Sequence, residues 1–392
     1  MKKISVLHIL NKSDLSQGGP PRAVLNLINS QNQCGINSYL ISTCKNYPLL
    51  KGKKIVIGRH ILNRFSIPNL KLIFQTIKLI KKCDIVHVHC FWNVFSTLSI
   101  LFSRFYKKIV ILSPHGTLDL YNIKKKNFFL KKLFFFLVEK KNLEYCQGIH
   151  FLSEEEKKNS IWINIKNKYV ITQSNSLNLK NITSSIKKNS NNNQTIFNNF
   201  KINKFNIVFL GRIDEVKGLD FQIDIINILL KKNYDCHLHI IGPDSKYRQF
   251  LEKKIISMQL VNNVTFYKPI YTNLRYKILN YANLVLSTSY YECNSVSNLE
   301  TIACSGVLVS STTCNLEHPN KYKCIIYLKR DINLFAKKII SLFNSKILNC
   351  EIRKNANLYS KFFLDHNTAA KKFKKFYIQN LNQHIDKNVK YI

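Results

Sequence analysis

Short apolar runs rich in β-branched residues alternate with longer amphipathic runs through both halves of this 392-residue chain. This alternation is typical of a parallel α/β sheet, in which a helix connects each strand to the next. It predicts five strands in the first half: ISVLHIL, SYLIST, DIVHVH, KIVILS and GIHFLS. It predicts five more in the second half: FNIVFLG, HLHIIG, NVTFYK, NLVLST and GVLVSS.

A polar, asparagine-rich stretch, SSIKKNSNNNQTIFNNFKINK, separates the two halves and ends at Lys204. Such a composition cannot form a core, and the chain is too long for one ordinary core. We therefore predict two doubly wound, Rossmann-like domains over residues 1–175 and 205–365, joined by a polar linker over residues 176–204. Ligands of such domains bind at the carboxyl ends of the strands, which predicts a site facing the cleft between the domains.

The chain carries 60 Lys and Arg against 22 Asp and Glu, a formal net charge of +38. This charge favours an anionic partner: a nucleic acid, an acidic membrane surface or a phosphorylated small molecule. Compositional bias of the genome explains the excess of Lys, Asn, Ile, Phe and Tyr equally well. A basic nucleic-acid-binding protein is the non-enzymatic alternative, but the sequence has no helix-turn-helix, RNP-type aromatic motif or zinc spacing to support it. We expect no nucleic-acid partner.

The 11 cysteines are scattered and never spaced as C-x-x-C. This predicts reduced, buried thiols, for example Cys236 and Cys324, and no disulfide framework. The opening MKKISVLHILNKSD has only a short apolar run and is interpreted as a first strand, not a signal peptide. The apolar run LFFFLV of the basic middle section is far shorter than the roughly 20 residues that span a bilayer. We expect a cytoplasmic protein.

Each predicted domain has a strand followed by a glycine-containing loop and a helix. In the first, Gly18 and Gly19 precede a helix that begins near Pro20, and they either admit a ligand close to the backbone or form only a turn. In the second, FLGRIDEVKG places Arg212 and Lys217 after a buried strand. Arg binds a phosphate through two hydrogen bonds and Lys acts as a point charge, so the pair predicts a diphosphate clamp.

The stretch SYYECNSVSNLETIACSG brings two carboxylates, Glu292 and Glu300, to the end of the strand NLVLST. There they can accept hydrogen bonds from sugar hydroxyls. The alternative is structural, because Ser297 and Glu300 match the S-x-x-E pattern of a helix-capping box and Glu292 is then an exposed loop acid. Gly306 is predicted to cap the end of the helix. The local sequence leaves both interpretations open.

Three histidines fall near the ends of predicted strands: His87 and His89 on one face of DIVHVH, and His115 after KIVILS. No third ligand with suitable spacing is evident, so we do not expect a metal site. His115 is the better candidate for contact with a ligand. The chain also has no D-x-D pair to hold a divalent cation, so the charge of a diphosphate must be met by the predicted clamp and by helix ends.

Five stretches, GGPPRAVLNL, HVHCFW, SPHGTLDL, FLGRIDEVKG and SYYECNSVSNLETIACSG, resemble in their order the retaining GT-B glycosyltransferases of family four. That bacterial group builds polysaccharides from nucleotide-activated sugars. The closing RKNANLYSKFFLDHNTAAKKFKKFY resembles the family's terminal helices, the last of which crosses back onto the first domain, here over residues 366–392. The resemblance covers nearly the whole chain and implies the GT-B fold, with two Rossmann-like domains facing a cleft.

The resemblance implies a reaction as well as a fold. A hexose-type sugar is transferred, with retention and without a metal, from a UDP-sugar or GDP-sugar to a glycan or lipid-linked acceptor. The implied product is a bacterial polysaccharide, such as a capsule, the O-antigen of lipopolysaccharide or an exopolysaccharide, and no separate cofactor is implied. A GT-B-fold sugar-nucleotide epimerase is the enzymatic alternative, in which the sugar never reaches an acceptor.

The family's E-x(7)-E motif falls on Glu292 and Glu300. By the resemblance, Glu292 faces the donor sugar and Glu300 binds the ribose hydroxyls of the nucleotide. The family has glycines after the first glutamate, whereas residues 293–295 of this chain read CNS.

Four further positions are implied by the same resemblance. Arg212 and Lys217 match the pair that holds the diphosphate and stabilises the leaving group. Gly19 matches the loop whose backbone lets the phosphates approach. His115 matches the histidine that lies beside the transferred sugar.

The stretch KKKNFFLKKLFFFLVEKKNLEY, from Lys124, interleaves lysines with aromatic residues at helical spacing. We interpret the phenylalanines as a stripe that faces the core. The lysines form a basic face attracted to an anionic membrane surface, each contributing about 1 kcal/mol. The protein is therefore expected to lie as a peripheral protein on the inner face of the cytoplasmic membrane.

Overall fold

The computed structural model divides the chain into two compact units. Unit 1 comprises Met1–Ser176 and His366–Ile392, and unit 2 comprises Leu177–Asp365. The structure describes residues 3–43, 54–62, 67–125, 128–160, 168–188, 200, 204–314, 316 and 322–389.

Unit 1 is built on a seven-stranded parallel sheet with the order β3-β2-β1-β6-β7-β8-β9. A separate antiparallel pair, β4 and β5, lies outside this sheet. The strands are β1 Ser5–Lys12, β2 Asn37–Thr43, β3 Ile55–Gly58, β4 His60–Leu62, β5 Ile67–Pro68, β6 Ile85–His89, β7 Ile109–Ser113, β8 Gly148–Phe151 and β9 Tyr169–Thr172.

The helices of unit 1 connect these strands, and the last of them comes from the end of the chain. They are Gly19–Gln33, Leu70–Lys82, Val94–Phe105, Leu120–Lys125, Phe128–Phe134, Lys140–Tyr145, Glu154–Asn159 and His366–Val389, with a 3-10 turn at Leu15–Gln17 and a π-helical turn at Phe135–Glu139.

Both faces of the unit 1 sheet are packed. Along β1, Leu7 and Ile9 contribute to one apolar cluster, whereas Val6 lies in another on the opposite face. The C-terminal helix covers that second face, where Phe373 and Tyr377 are buried against the strands. Burial of each such side chain contributes about 1.5–3 kcal/mol. The prediction that the terminal helix returns to the first domain is confirmed.

Unit 2 is built on a six-stranded parallel sheet with the order β12-β11-β10-β13-β14-β15. Its strands are β10 Phe205–Leu210, β11 Cys236–Ile241, β12 Val264–Tyr267, β13 Leu284–Ser287, β14 Leu308–Ser311 and β15 Ile326–Leu328. Its helices are Leu179–Lys187, Leu219–Lys231, Tyr247–Ser257, Leu274–Tyr281, Val296–Ala303, Ile332–Asn344 and Lys346–Tyr359, with a 3-10 turn at Glu215–Lys217 and a π-helical turn at Ser360–Leu364.

All ten predicted strands are strands in the structure, and the two parallel sheets confirm the predicted fold class. Along β10, Ile207 and Phe209 face one buried cluster and Val208 faces the other, so this strand is covered on both sides. Full burial is the reason that five of its six residues are apolar.

The segment predicted as a linker, residues 176–204, differs in the structure from the prediction. From Leu177 on it belongs to unit 2, and Leu179–Lys187 form a helix. Ile182 of that helix is buried in the same cluster as Leu177 and Phe200. Apolar residues at helical spacing within a polar composition produced the error. The remainder, residues 189–199 and 201–203, lies outside the described residues.

The basic stretch that follows Lys124 also departs from its prediction. Phe129 is 83% exposed and Phe136 is 58% exposed, so the interpretation of the phenylalanines as a core stripe is wrong at these two positions. Phe135, by contrast, packs against the unit 1 core. The π-helical turn Phe135–Glu139 changes the helical phase, so the spacing of an ideal α-helix misassigns the buried face.

Among the described residues, no helix has both the length and the apolar character needed to cross a membrane. The described cysteines are all free thiols, and Cys236 and Cys324 are buried as predicted.

Candidate active site

The topology of unit 2 marks one edge of its sheet as a binding position. Strand β10 lies between β11 and β13, so the connections that leave β10 toward its two neighbours run in opposite directions. The loops after β10 and β13 therefore leave a crevice at the carboxyl ends of the strands, which is where ligands of open α/β sheets bind. The predicted residues Arg212, Lys217 and Glu292 all lie on these two loops.

The loop after β10 ends in a tight turn that depends on Gly218. This glycine has a φ of 63°, in the left-handed region, and it precedes the helix Leu219–Lys231. A Cβ atom there would lie 2.5 Å from the main-chain oxygen of Thr288 and 2.7 Å from Nη1 of Arg330. The Thr288 hydroxyl donates a hydrogen bond to the Gly218 carbonyl at 2.9 Å. The two loops are thus locked together next to Lys217.

Lys217 and Glu292 form an ion pair across the two loops. Their side chains are 16% and 15% exposed, and the Ser289 hydroxyl also donates to Glu292 Oε1 at 3.1 Å. Both charged groups line one small pocket. A mostly buried cation held against a mostly buried anion can exchange its partner for a charged or hydroxylated ligand, because each group is already largely desolvated.

The same pocket contains a polar group that sequence reasoning missed. Asn298 lies in the first turn of the helix Val296–Ala303 and is 3% exposed. Its Nδ2 makes no hydrogen bond to a described residue, although it lines the pocket with Lys217 and Glu292. Buried amide donors are normally hydrogen-bonded. This donor can therefore bind a ligand acceptor in the pocket, and no sequence motif marks it.

Arg212 is the more exposed member of the predicted diphosphate clamp. Its side chain is 45% exposed and its guanidinium lies 3.6 Å from the carboxylate of Asp214. An exposed pair of this kind contributes little to stability, so Arg212 is easily redirected toward a ligand. The structure places Arg212 and Lys217 on one loop but gives them different carboxylate partners.

Glu300 does not cap its helix. The N-cap residue is Ser295, and no side-chain cap bond is made there, so the capping-box interpretation of Ser297 and Glu300 is wrong. Glu300 is instead 1% exposed and accepts a hydrogen bond from Nε of Arg275 at 3.1 Å. Short sequence spacing is the usual sign of an ion pair, but 25 residues separate Arg275 from Glu300. Because the chain is rich in cations, the sequence does not single out Arg275 as the partner.

Residues near Glu300 show two further departures. The helix Val296–Ala303 ends with Ser305 in the left-handed region, at a φ of 56°, and not with Gly306 as predicted. Gly306 is needed for a different reason, because a Cβ atom there would lie 2.8 Å from the Leu279 carbonyl oxygen. Asn294 and Ser295, two of the three residues that follow Glu292, are both buried.

In unit 1, His115 follows β7 in a strained turn. His115 has a φ of 53° and Gly116 a φ of 77°. The buried carboxylate of Glu156 holds the turn by accepting hydrogen bonds from the backbone N–H groups of Gly116, at 2.5 Å, and Leu152, at 2.6 Å. Burial lowers the pKa of His115 to about 3, so its imidazole is neutral at pH 7.

His115 lines a small pocket whose other walls come from several elements of unit 1. Ala23 and Val24 contribute from the helix Gly19–Gln33, and His89 and His150 contribute from β6 and β8. That helix begins at Gly19, close to the predicted start, and Gly18 before it has a φ of 101°.

The prediction that His87 and His89 lack a third partner is wrong. His8 on β1 lies opposite His87 in the parallel register, and ring nitrogens of all three histidines lie within 4.8 Å of one another. Each ring nitrogen of the three is already hydrogen-bonded to a neighbouring side chain. A metal would have to displace at least two of these bonds, so the arrangement fits a hydrogen-bonded network better than a metal centre.

Two family models match the chain. The model for glycosyl transferases group 1 matches residues 190–359, and the model for glycosyltransferase family 4 matches residues 17–179. No curated protein matches the chain by sequence.

Solved structures similar to this chain include three glycosyltransferases or related proteins. A glycosyltransferase from Rickettsia africae ESF-5 is 17% identical, with a TM-score of 0.72 over 97% of this chain and 99% of that one. Anabaena Alr3699/HepE, in complex with UDP and glucose, is 12% identical, with a TM-score of 0.71 over 99% and 100%. WaaG, a glycosyltransferase involved in lipopolysaccharide biosynthesis, is 14% identical, with a TM-score of 0.67 over 93% and 98%.

Two parallel α/β units, matched over nearly their whole length by these structures, define the GT-B fold class. With both halves of the sequence matched by their respective family models, the chain belongs to the family 4, or group 1, glycosyltransferases.

Proposed function

We propose that this glycosyltransferase moves a hexose-type sugar, with retention of configuration, from a UDP-sugar or GDP-sugar to a glycan or lipid-linked acceptor. The observation that carries the proposal is the Lys217–Glu292 ion pair at the crevice after β10 and β13, beside the Asn298 Nδ2 that makes no hydrogen bond to a described residue. The pocket combines a cation for phosphate, a carboxylate for hydroxyl groups and a neutral donor. The complex of Anabaena HepE with UDP and glucose supports a nucleotide-sugar donor.

In the proposed reaction the bond between the sugar C1 and the phosphate oxygen breaks, and the acceptor oxygen attacks C1 from the same face. Negative charge develops on the departing nucleoside diphosphate. Lys217 and Arg212 stabilise that charge by electrostatic interaction, which is usually the largest contribution to catalysis. No protein nucleophile, metal or separate cofactor is assigned a step. The acceptor loses its proton as the new bond forms, and the diphosphate oxygen is the nearest base in this scheme.

The remaining site residues have roles that follow the family resemblance. Glu292 accepts hydrogen bonds from the donor sugar, and Glu300, oriented by Arg275, accepts them from the ribose. Gly19 lets the backbone approach a phosphate, and His115 contacts a hydroxyl of the transferred sugar. The orientation of Glu300 by a buried guanidinium supports its role, because a fixed carboxylate loses little freedom on binding.

The test is a panel of UDP-hexoses and GDP-hexoses, scored for nucleotide release and for thermal stabilisation with a chelator present. A donor at 100 times its Kd should stabilise the protein by roughly 2.7 kcal/mol. Arg212→Ala and Lys217→Met should abolish release. Lys204→Met is the matched control, because Lys204 is also ion-paired on unit 2, with Asp235, and the two residues immediately precede β10 and β11, at the opposite edge of the sheet from the crevice. Full activity of the first two variants would overturn the assignment. Released sugar that never reaches an acceptor would instead favour an epimerase.

We place the reaction in bacterial surface polysaccharide synthesis, at the inner face of the cytoplasmic membrane. The likeness to WaaG supports a polysaccharide product. Four large apolar side chains of one short segment, Phe129, Leu133, Phe136 and Leu137, are each more than half exposed. Exposed lysines at 132, 140 and 141 flank them. Apolar side chains rimmed by cations match a membrane surface that carries anionic lipids.

Co-sedimentation with vesicles tests this location. The protein should bind vesicles that contain phosphatidylglycerol and leave vesicles of pure phosphatidylcholine unbound. Phe136→Ser with Leu137→Ser should abolish binding. Phe250→Ser, which removes an aromatic side chain that is 54% exposed on unit 2, should not. Equal binding of the double variant and the control would exclude this segment as the attachment site.

A further inference from the structure

Unit 1 contains a continuous series of hydrogen bonds that begins at His115 and ends at the main-chain carbonyl of Gln173. The series passes through buried side chains on β1, β6, β7 and β8 and on the first and last helices of the unit. Its bonds are His115 Nε2 to His89 Nδ1 (3.0 Å), His89 Nε2 to His8 Nδ1 (2.9 Å), His8 Nε2 to Gln31 Oε1 (2.8 Å), Gln31 Nε2 to Tyr377 OH (2.9 Å), Tyr377 OH to His87 Nδ1 (2.8 Å), His87 Nε2 to Ser113 Oγ (2.6 Å), Ser113 Oγ to His150 Nδ1 (2.7 Å) and His150 Nε2 to Gln173 O (2.8 Å).

The direction of these bonds follows from the last one. A carbonyl oxygen only accepts, so Nε2 of His150 carries a proton and donates it to Gln173. Burial lowers the pKa of His150 to about 4, so the ring is neutral and its Nδ1 accepts. The single hydroxyl proton of Ser113 is therefore donated to His150, and Ser113 accepts from Nε2 of His87. His87 is also neutral, because burial lowers its pKa, so its Nδ1 accepts from the hydroxyl of Tyr377.

The same reasoning continues past Tyr377. Its only proton is used, so its oxygen accepts from the amide nitrogen of Gln31, which fixes the orientation of that amide. Gln31 Oε1 then faces His8, and the hydroxyl of Ser38 also donates to it at 2.6 Å. His8 consequently donates through Nε2, and its Nδ1 accepts from Nε2 of His89.

His115 is the last member. Nδ1 of His89 must accept, because His89 is a neutral ring whose pKa burial lowers and whose Nε2 already carries the proton. His115 therefore donates through Nε2 and its Nδ1 has no proton. That Nδ1 makes no hydrogen bond to a described residue, and His115 lines the pocket of unit 1.

We propose that this one-directional series fixes the tautomer of His115, so that Nδ1 is always an acceptor and the pocket selects a ligand hydroxyl over a carboxylate. Gln31, Tyr377, His8 and His89 are positioning residues, since each acts through its neighbour. The hydroxyl preference rests on the proposed function, in which the ligand is a sugar. It favours a neutral hexose over a hexuronate, because a carboxylate oxygen cannot donate to Nδ1 and would meet a lone pair there.

The tautomers are measured by ¹⁵N–¹H correlation spectra of the full-length chain with ¹⁵N-labelled histidine at pH 7.5. We expect the Nε2–H tautomer for all five histidines: His8, His87, His89, His115 and His150. A doubly protonated ring or an Nδ1–H tautomer at any of the five overturns the derivation. This readout does not depend on enzymatic activity.

Tyr377→Phe removes one hydroxyl from the middle of the series. His87 and His150 should keep the Nε2–H tautomer, because the carbonyl of Gln173 still anchors them. The other three histidines should become a mixture of tautomers, because the Gln31 amide is free to turn over. Tyr327→Phe, which removes a buried hydroxyl from unit 2, is the control and should change none of the five. Unchanged spectra in Tyr377→Phe overturn the proposal.

The preference for a hydroxyl over a carboxylate is tested separately, by enzyme kinetics. With the donor that the panel identifies, kcat/KM for the neutral hexose should exceed that for the corresponding hexuronate at least tenfold, and Tyr377→Phe should narrow the ratio. Equal kcat/KM for the two donors overturns the hydroxyl preference. If the five tautomers are as derived but no nucleotide sugar is turned over, the proposed function and the hydroxyl preference fail together, while the fixed tautomer of His115 stands.

Discussion

The buried histidines of unit 1 should make it sensitive to mild acid. His8 is fully buried and His150 is 4% exposed, and burial lowers the pKa of each to about 4. In the unfolded chain the pKa of each returns to about 6.5. Below pH 6.5 the two imidazoles bind protons in the unfolded chain but remain neutral in the folded unit. The free energy of unfolding therefore falls as the pH falls from about 6.5 toward 4.

The size of the effect follows from the two pKa values. Between pH 8 and pH 5, a group whose pKa changes from about 6.5 to about 4 on folding costs about 2 kcal/mol of stability. His8 and His150 together cost about 4 kcal/mol, a large part of the 5–15 kcal/mol that typically stabilises a protein. Glu139 acts in the opposite direction, because burial raises the pKa of its carboxyl group, but it is common to every variant compared.

The assay is urea unfolding at pH 8 and pH 5, followed by tryptophan fluorescence. Both tryptophans of the chain, Trp92 and Trp162, belong to unit 1, so the signal reports that unit. The wild type should lose about 2 kcal/mol more between the two pH values than His8→Asn, which lacks one of the titrating groups. Ser38→Ala is the control, because it removes a hydrogen bond to Gln31 without removing a titrating group.

The control should be destabilised by about 1 kcal/mol at both pH values and show the pH dependence of the wild type. Should His8→Asn and the wild type lose the same stability between pH 8 and pH 5, then His8 takes up a proton in the folded state near its ordinary pKa. That result would refute the assignment of neutral, mutually hydrogen-bonded imidazoles.

Two further predictions concern unit 2. Arg275→Met should destabilise it by about 3–5 kcal/mol, because the buried Glu300 carboxylate loses the Arg275 guanidinium, and Arg275→Met with Glu300→Gln should cost less than the sum of the single variants. If the loss of unfolding free energy in the double variant equals the sum of the losses in the two single variants, this coupling is excluded. Gly218→Ala should cost more than about 1 kcal/mol, because it adds a clash with Thr288 to the strain of a positive φ. Gly35→Ala is the matched control, with a φ of +81° and nothing within 4 Å of the added Cβ, and equal costs for the two variants would contradict the clash.

Much of the fold follows from local sequence. Strands buried on both faces, such as β10 and β7, are nearly continuous apolar runs that stand out from the helices around them. The strands missed by prediction are short and only partly buried, for example β15 at Ile326–Leu328 and β3 at Ile55–Gly58, and their composition differs little from that of loops. Their place at the sheet edge is set by the neighbours against which they pair.

Some residues of the candidate site could likewise be predicted from local sequence, and others could not. Lys217 and Glu292 follow predicted strands, and the topology of a doubly wound sheet is enough to bring two such loops together. The partners that orient the functional groups come from distant parts of the chain. Gln31 and Tyr377 are 346 residues apart, and no spacing or motif links them. His8 lies opposite His87 because of the register in which β1 and β6 pair, and that register could not be predicted from the sequence.

Steady-state nucleotide release by Lys217→Met and Glu292→Gln is the most direct test of the crevice in unit 2 as the donor site. With the donor that the panel identifies and a glycan or lipid-linked acceptor, each variant should lose at least about 100-fold in kcat, a loss of about 2.7 kcal/mol of transition-state stabilisation. Urea unfolding must show that each variant is still folded under the assay conditions, because removing one partner of a pair whose side chains are only 16% and 15% exposed costs stability. Activity within about threefold of the wild type in either variant would contradict the donor site proposed at this ion pair.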